Sequence, residues 1–264
     1  MSNKKKYRVI SLFSGAGGMD LGFINAGFDI VWANDFFKEA VESYKKNVDD
    51  RIVYGDITQI DSSEMPDEID LVIGGFPCQG FSVANTKRSM KDEINFLYKE
   101  MLRVIRDKKP KFFVAENVKG ILSMKKGKVI EMIKKDFRSL GYEVDARLLN
   151  AAEYGVPQAR ERVVIIGNRI GVNNPYPKPT HWVDSKTYET KKGLKAPVTV
   201  EQTIGFLSDV RLSDNPITLE DGTIIYNHMA ATNVYDKFWG RKYKVKQSAI
   251  CDYLKKWRDK AGYT

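Results

Sequence analysis

Up to residue 168, the sequence alternates between short apolar runs typical of buried β-strands and longer amphipathic runs typical of helices. Such alternation predicts an α/β fold, because each helix returns the chain to the same edge of the sheet and makes successive strands parallel. We therefore predict a doubly wound, mainly parallel sheet. The predicted strands are residues 7–13, 30–34, 52–55, 71–74, 112–116, 143–150 and 162–168, and the predicted helices are residues 19–26, 38–47, 94–106 and 128–140.

The composition of the chain changes after the last predicted strand. The segment NNPYPKPTHW, rich in Pro, Asn and Thr, begins shortly after Arg169 and is typical of a linker. We therefore predict a first domain at residues 1–170 and a second region at residues 171–264.

Charge and cysteine content limit the class of protein. Two cysteines cannot form a disulfide framework, and the start MSNKKKYRVI has no apolar signal segment, so we expect a cytoplasmic protein. No apolar run has the length of a membrane span. Much of the net charge of +9 lies in residues 237–260, where nine Lys and Arg and two Asp are interleaved with aromatic residues. This stretch is either a nucleic-acid-binding surface or a solvated, lysine-rich helix face.

A glycine-rich turn follows the first predicted strand, in the sequence FSGAGGMDLGF. Gly15, Gly17 and Gly18 permit a tight turn and the close approach of a ligand to the backbone. The next glycine is Gly22, so the spacing typical of dinucleotide-binding turns is absent. The turn is therefore a candidate ligand site, although a glycine turn alone is more often an ordinary loop.

Acidic residues follow the next two predicted strands. Asp35 is placed to accept hydrogen bonds from a ribose, and Phe36 can pack on a base. Asp56 and Ile57 end the third strand at the same edge of the sheet. Taken singly, each acidic residue is better explained as a helix cap. Together they predict a pocket for a nucleoside.

One of the two cysteines lies in the sequence IGGFPCQGFS, just past the end of a predicted buried strand. Open α/β sheets place their ligands at this position, so Cys78 is a candidate reactive residue. The alternative is a small buried apolar residue, the commonest role of a free cysteine. Cys251 lies in an amphipathic pattern and is expected to pack. His181 and His228 have no ligand spacing around them, so we predict no metal site.

Four segments together resemble the ordered motifs of the cytosine-5 DNA methyltransferases. They are FSGAGG, GFPCQGFS, ENVKGI at residues 116–121 and YGVPQARERVVIIG at residues 154–167. The resemblance covers roughly residues 7–170, and the form GFPCQ is most similar to the bacterial restriction-modification enzymes. It implies a Rossmann-like methyltransferase domain that uses S-adenosylmethionine to methylate carbon 5 of a flipped-out cytosine in double-stranded DNA.

The resemblance also assigns roles to individual residues. Cys78 is implied to be the thiolate that adds to the sixth position of the ring, and Glu116 to bind the ring nitrogen and amine of the base. Arg160 is implied to lie near the cytosine and Arg162 to orient Glu116; the alternative is a surface ion pair with Glu161. The implied cofactor-binding residues are Phe13, Gly15, Gly17, Gly18, Asp35, Phe36, Asp56, Ile57, Pro77 and Leu97, and the implied DNA-binding residues are Gln79, Ser82 and Gln158.

The resemblance weakens toward the end of the sequence. Residues 199–207 are similar to the helix that precedes the family's target-recognition region, and Thr264 falls inside that region. This departure implies a truncated product or one subunit of a split enzyme with a second polypeptide as partner. Two alternatives to an active DNA methyltransferase stay open: a non-catalytic fragment that binds cofactor or DNA, and an RNA cytosine methyltransferase.

Overall fold

The computed structural model describes residues 6–77, 97–182 and 193–204, together with two short strands near residue 220. Cys78, Gln79 and Ser82 therefore lie outside the described residues. The chain divides into two compact units, Met1–Thr199 and Val200–Thr264. The described part of the second unit consists of a short helix, α5 (Val200–Ile204), and an antiparallel pair formed by Ile217–Thr218 and Ile224–Ile225.

A seven-stranded sheet forms the first unit. Its spatial order is β3-β2-β1-β4-β5-β7-β6. The pairs from β3 to β5 are all parallel, whereas β7 is antiparallel to both of its neighbours. The strands are β1 (Arg8–Leu12), β2 (Asp29–Asp35), β3 (Ile52–Tyr54), β4 (Leu71–Gly74), β5 (Phe112–Val118), β6 (Glu143–Asn150) and β7 (Glu161–Asn168).

Strand direction decides which residues meet. The first five strands all end at one edge of the sheet, and the antiparallel β7 begins there, with Arg162 opposite Val118 of β5. We call this edge, where Leu12, Asp35 and Gly74 end their strands, the C-terminal edge. Ligands of open parallel sheets bind at this edge.

Among the described residues, four helices cover the two faces of the sheet: α1 (Gly18–Asn25), α2 (Lys38–Asn47), α3 (Leu97–Lys108) and α4 (Lys128–Ser139). Two separate apolar clusters fill the spaces between helices and sheet, one packed by α1 and α2 and the other by α3 and α4. In α4, Val129, Ile130, Ile133 and Phe137 form a buried stripe at helical spacing. The predicted doubly wound, mainly parallel sheet is thus confirmed.

The observed bounds stay close to the predicted ones. Strand β1 ends one residue early, because Phe13 takes a left-handed backbone conformation with φ of 54°. Strand β5 continues to Val118, since its last residues pair with the incoming β7. Of the helix predicted at residues 94–106, the described part begins at Leu97. Residues 205–207 of the predicted linker helix lie outside the described residues.

The segment after β7 is hydrogen-bonded to the sheet. The Tyr176 hydroxyl lies 2.9 Å from the carbonyl oxygens of both Asp145 and Val164, so its single proton is shared between two acceptors on neighbouring strands. Asn168 donates from its side chain to the carbonyl oxygen of Val172 at 2.7 Å. The boundary predicted at residue 170 stays a prediction, and the compact units divide at Thr199. None of the helices in the described ranges has the length and apolar character needed to cross a bilayer.

Candidate active site

The glycine-rich turn leaves β1 through several left-handed residues. Phe13, Gly15 and Gly17 have φ values of 54°, 56° and 89°. A side chain at Gly17 is also excluded by space, because its Cβ would lie 2.6 Å from Cγ2 of Val48. Ser14 donates its backbone N–H to a carbonyl of β2 at 3.0 Å. Backbone conformation and packing therefore hold this turn tightly against the C-terminal edge.

Asp35 fastens the turn to the end of β2. Its Oδ2 accepts the Gly15 N–H at 2.7 Å and its Oδ1 accepts the Phe37 N–H at 2.9 Å, and only 8% of the residue is exposed. Each oxygen keeps a further lone pair for a ligand hydroxyl. Phe36 beside it is 61% exposed. The edge therefore offers a fixed carboxylate next to an exposed aromatic ring, which packs edge to face on Phe37 with the ring centroids 5.8 Å apart. Contact of Asp35 and Phe36 with a ribose and a base stays a prediction.

Asp56 and Ile57 play structural roles in the described structure. Asp56 caps a short 3₁₀ turn, Ile57–Gln59, by accepting the Thr58 N–H at 2.9 Å. Ile57 is buried in the core, and its carbonyl accepts a bond from Arg103 at 3.0 Å. The helix-cap alternative thus describes the Asp56 side chain in this structure. Contact of either residue with a cofactor stays a prediction.

The start of the cysteine loop is held by the residue that follows Glu116. Asn117 is buried and donates from Nδ2 to the carbonyl of Phe76 at 3.0 Å, while its Oδ1 accepts the Val118 N–H at 2.8 Å. Phe76 lies two residues before Cys78, and Pro77, half-buried, is the last described residue before the gap. This contact fixes the backbone immediately before the cysteine loop. Leu97 begins α3 beyond the gap and packs partly against the core.

Glu116 and Arg162 form an ion pair across β5 and β7. Arg162 Nε lies 2.8 Å from Glu116 Oε1, and the two side chains are 28% and 27% exposed. They meet because Glu116 is opposite Val164 in the antiparallel register, and Arg162 is on the same face two residues earlier. A Cβ at Gly75 would lie 3.4 Å from Glu116 Oε2. The carboxylate therefore lies beside the strand end that leads to Cys78.

Gln158 and Arg160 lie on the exposed loop that enters β7. The Arg160 carbonyl accepts the Ala151 N–H at 2.9 Å. The backbone N–H of Arg160 donates to the Gln158 carbonyl at 2.9 Å. Within the described ranges, the Arg160 guanidinium has no side-chain partner. Glu161 instead pairs with Lys119 at 2.7 Å. The alternative of an Arg160–Glu161 surface pair is therefore not the arrangement in the structure.

Sequence reasoning missed Asp20, which is fully buried beneath the glycine turn. It accepts hydrogen bonds from Ser11 and Tyr44, and burial raises the pKa of its carboxyl despite these bonds. One feature of the sequence could have indicated a buried role for Asp20: it is an acidic residue among apolar ones, two residues after a glycine run. In the described ranges, no group of three or more His, Cys, Asp or Glu side chains could hold a metal ion.

Comparison with known proteins gives the family. The sequence matches the family model described as C-5 cytosine-specific DNA methylase over residues 7–261. The chain belongs to this family. The match includes the C-terminal edge just described and extends beyond residue 170, where the motifs recognised in the sequence ended. The family resemblance is therefore confirmed.

Individual relatives support the same assignment. The chain is 46% identical over 226 residues to Type II methyltransferase M.NgoFVII of Neisseria gonorrhoeae, covering 84% of the chain and 59% of that protein. It is 43% identical over 235 residues to Type II methyltransferase M.BspRI of Lysinibacillus sphaericus, covering 77% of the chain and 53% of that protein. The chain thus spans little more than half the length of these curated relatives. The expected second polypeptide stays a prediction from the sequence.

A solved structure shares the fold. A prophage-encoded candidate DNA modification methyltransferase of E. coli aligns with a TM-score of 0.61 and 28% sequence identity. The alignment covers 95% of this chain and 69% of that chain. The Rossmann-like α/β architecture of this chain is therefore shared with that solved structure.

Proposed function

We propose that the chain transfers a methyl group from S-adenosylmethionine to carbon 5 of a cytosine in double-stranded DNA, as part of a bacterial restriction-modification system. The observation that carries the proposal is the Glu116–Arg162 ion pair beside the strand end that leads to Cys78. In a member of this family, a carboxylate held in one orientation next to a cysteine loop suits recognition and activation of a base.

The residues at the C-terminal edge fit the proposed cofactor. Asp35 is fixed by two backbone amides and keeps acceptor capacity for ribose hydroxyls, and Phe36 presents an exposed ring for an adenine. A Cβ at Gly15 or Gly18 would meet nothing within 4 Å, so the turn leaves open space for a ligand. When bound, S-adenosylmethionine supplies the electrophilic methyl group.

The chemistry requires a nucleophile because carbon 5 of cytosine is weakly nucleophilic. The Cys78 thiolate adds to carbon 6, and Glu116 hydrogen-bonds the ring nitrogen that receives the displaced electron density. Carbon 5 would then take the methyl group as the S–CH3 bond breaks, and the cofactor would leave as its neutral thioether, S-adenosylhomocysteine. Loss of the proton from carbon 5 expels the thiolate and restores the aromatic ring. Arg162 keeps Glu116 oriented throughout.

DNA is the proposed substrate because the target atoms and the surface charge suit it. The cytosine must leave the base stack to reach Cys78. Arg160 and Gln158 are exposed on the loop that enters β7, two and four residues before Arg162, where a cation and an amide can contact a phosphate and a base. We assign Gln79 and Ser82 to the same contact surface from the resemblance. The net charge of +9 favours any nucleic acid, so the substrate class needs a direct test.

The decisive experiment traps the covalent adduct. In DNA synthesised with 5-fluorocytosine, carbon 5 carries fluorine in place of hydrogen. Fluorine cannot leave as a cation, so the elimination step is blocked and the Cys78 adduct accumulates after methyl transfer. We expect a denaturation-resistant complex that requires S-adenosylmethionine. Cys78→Ser should abolish this complex, whereas Cys251→Ser, the matched control at the other cysteine, should retain it.

Each other outcome contradicts part of the proposal. An adduct that persists in the Cys78→Ser protein would remove the thiolate assignment. DNA binding without any adduct, both for the chain alone and with a bacterial extract that supplies a second polypeptide, would favour the non-catalytic alternative. An adduct on a 5-fluorocytidine transcript, with none on DNA, would assign the activity to RNA.

A further inference from the structure

A buried cluster of hydroxyl groups and one carboxylate lies beneath the glycine turn. Asp20 of α1 is fully buried, and its two carboxylate oxygens accept bonds from Ser11 Oγ of β1 at 2.8 Å and from Tyr44 Oη of α2 at 2.7 Å. Ser14 Oγ donates to Ser11 Oγ at 2.9 Å. We call Ser11, Ser14, Asp20 and Tyr44 the Asp20 network.

The Asp20 network ends in the turn itself. Ser14 directly precedes Gly15, whose N–H donates to Asp35 at 2.7 Å, so the network and Asp35 hold neighbouring residues of the turn. The donors are ordered toward the carboxylate, since Ser14 donates to Ser11 and Ser11 donates to Asp20. Hydrogen bonds arranged in such a series strengthen one another.

Tyr44 also restrains the turn by packing. A Cβ at Gly17 would lie 2.9 Å from Cδ2 of Tyr44, so the aromatic ring is in direct contact with the last glycine before α1. The ring is fully buried. One side chain of α2 therefore touches the turn through its ring and reaches Asp20 through its hydroxyl.

Stability alone does not account for a carboxyl group at this place. Burial raises the pKa of Asp20 in spite of its hydrogen bonds, which means that its ionised form is less favourable in the folded protein than in water. A buried ionised group of this kind is often replaceable by apolar side chains without loss of stability. Residues that lower the stability of the folded protein are retained mainly where function requires them.

We propose that Asp20, Ser11 and Tyr44 are positioning residues that hold the glycine turn in its cofactor-binding conformation. The inference rests on the proposed function, since it assigns these residues to binding S-adenosylmethionine. None of the three contacts the cofactor in this assignment. They act through Ser14, Gly15 and Gly17, and so affect the affinity for the cofactor rather than the chemical step.

Isothermal calorimetry with S-adenosylmethionine and the full chain tests the proposal. Tyr44→Phe removes one hydroxyl and leaves the ring on Gly17, so the fold should survive. We expect the cofactor to bind about five- to tenfold more weakly to Tyr44→Phe and to Ser11→Ala. Tyr142→Phe is the matched control, because Tyr142 is buried and donates to the Pro110 carbonyl at 2.6 Å near the opposite edge of the sheet. Its cofactor affinity should equal that of the wild type.

Methyl-transfer kinetics separate positioning from general destabilisation. We expect KM for the cofactor to rise in Tyr44→Phe and kcat to stay near the wild-type value, whereas partial unfolding would lower kcat alone. Wild-type cofactor affinity in both Tyr44→Phe and Ser11→Ala, or an equal loss in Tyr142→Phe, would overturn the positioning role and leave the proposed function standing. A wild-type chain that binds no cofactor would instead overturn the proposed function, and the positioning role with it.

Discussion

At the scale of the residue, the C-terminal edge is built from side chains that fix the backbone and keep capacity for a ligand. Asp35 holds two backbone amides, and Asn117 holds the Phe76 carbonyl two residues before Cys78. Glu116 is held by Arg162. Such supporting contacts reduce the reorganisation that binding and catalysis require. Asp20 extends this support below the turn.

The buried Asp20 carboxyl predicts a specific pH dependence of stability. Because its folded pKa is raised above the usual value of 3.8, the folded state binds the proton more tightly than the unfolded state. Its contribution is therefore most favourable at low pH and is lost as pH rises through the folded pKa. We expect the free energy of unfolding of wild type minus that of Asp20→Asn to fall with rising pH, by about 1.4 kcal/mol for each pH unit between the two pKa values.

Urea denaturation at closely spaced pH values measures this difference. Taking the difference removes the opposite contributions of Asp49 and Asp107, whose pKa values are lowered chiefly by hydrogen bonds from arginines. A difference that is constant or rises with pH would show that Asp20 does not carry the raised pKa.

At the scale of the element, the turn between β5 and α4 contains an unusual run of backbone conformations. Lys125, Lys126 and Gly127 have φ values of 46°, 57° and 82°, so three consecutive residues are left-handed. Only Gly127 adopts this conformation without a steric cost. Apolar periodicity predicted the helix that follows but not this turn, because the turn is imposed by the path from β5 into α4.

Replacing Lys126 with glycine should therefore stabilise the protein. We expect Lys126→Gly to raise the free energy of unfolding by about 0.5–1 kcal/mol, since glycine removes the left-handed strain. Lys135→Gly is the matched control, because Lys135 is an exposed lysine with helical backbone in α4. It should lower the free energy of unfolding by about 1 kcal/mol. Denaturant melts should show changes in the free energy of unfolding of opposite sign for the two variants. Losses of equal size would show that the backbone at Lys126 is not strained.

At the scale of the whole molecule, the positive charge is unevenly distributed along the chain. The net charge is +9, and the basic, aromatic stretch at residues 237–260 lies outside the described residues. The sequence left two alternatives for this stretch, a nucleic-acid-binding surface and a solvated helix face. Salt dependence distinguishes them, because each phosphate that a protein cation neutralises releases counterions on binding.

We expect the stretch to bind DNA phosphates. Replacing Lys255, Lys256 and Lys260 with Gln should weaken binding to duplex DNA and reduce the slope of log K against log salt concentration by about 0.9 for each phosphate that is no longer neutralised. A control variant with Gln at Lys45, Lys109 and Lys135 has the same net charge. Fluorescence anisotropy across a salt series compares them. Equal slopes in the two variants would favour the solvated face.

The sequence by itself determined the order of strands and helices along the chain, the mainly parallel character of the sheet and the family. These features are encoded within short windows, as in the apolar stripe of α4 or the glycine turn after β1. Tertiary structure alone decided which residues meet. Glu116 faces Arg162 because β7 inserts antiparallel beside β5 in one register, and Asp20 is buried because α2 brings Tyr44 over it. Such contacts join residues far apart in the chain, so they depend on how the elements pack, which local periodicity does not specify.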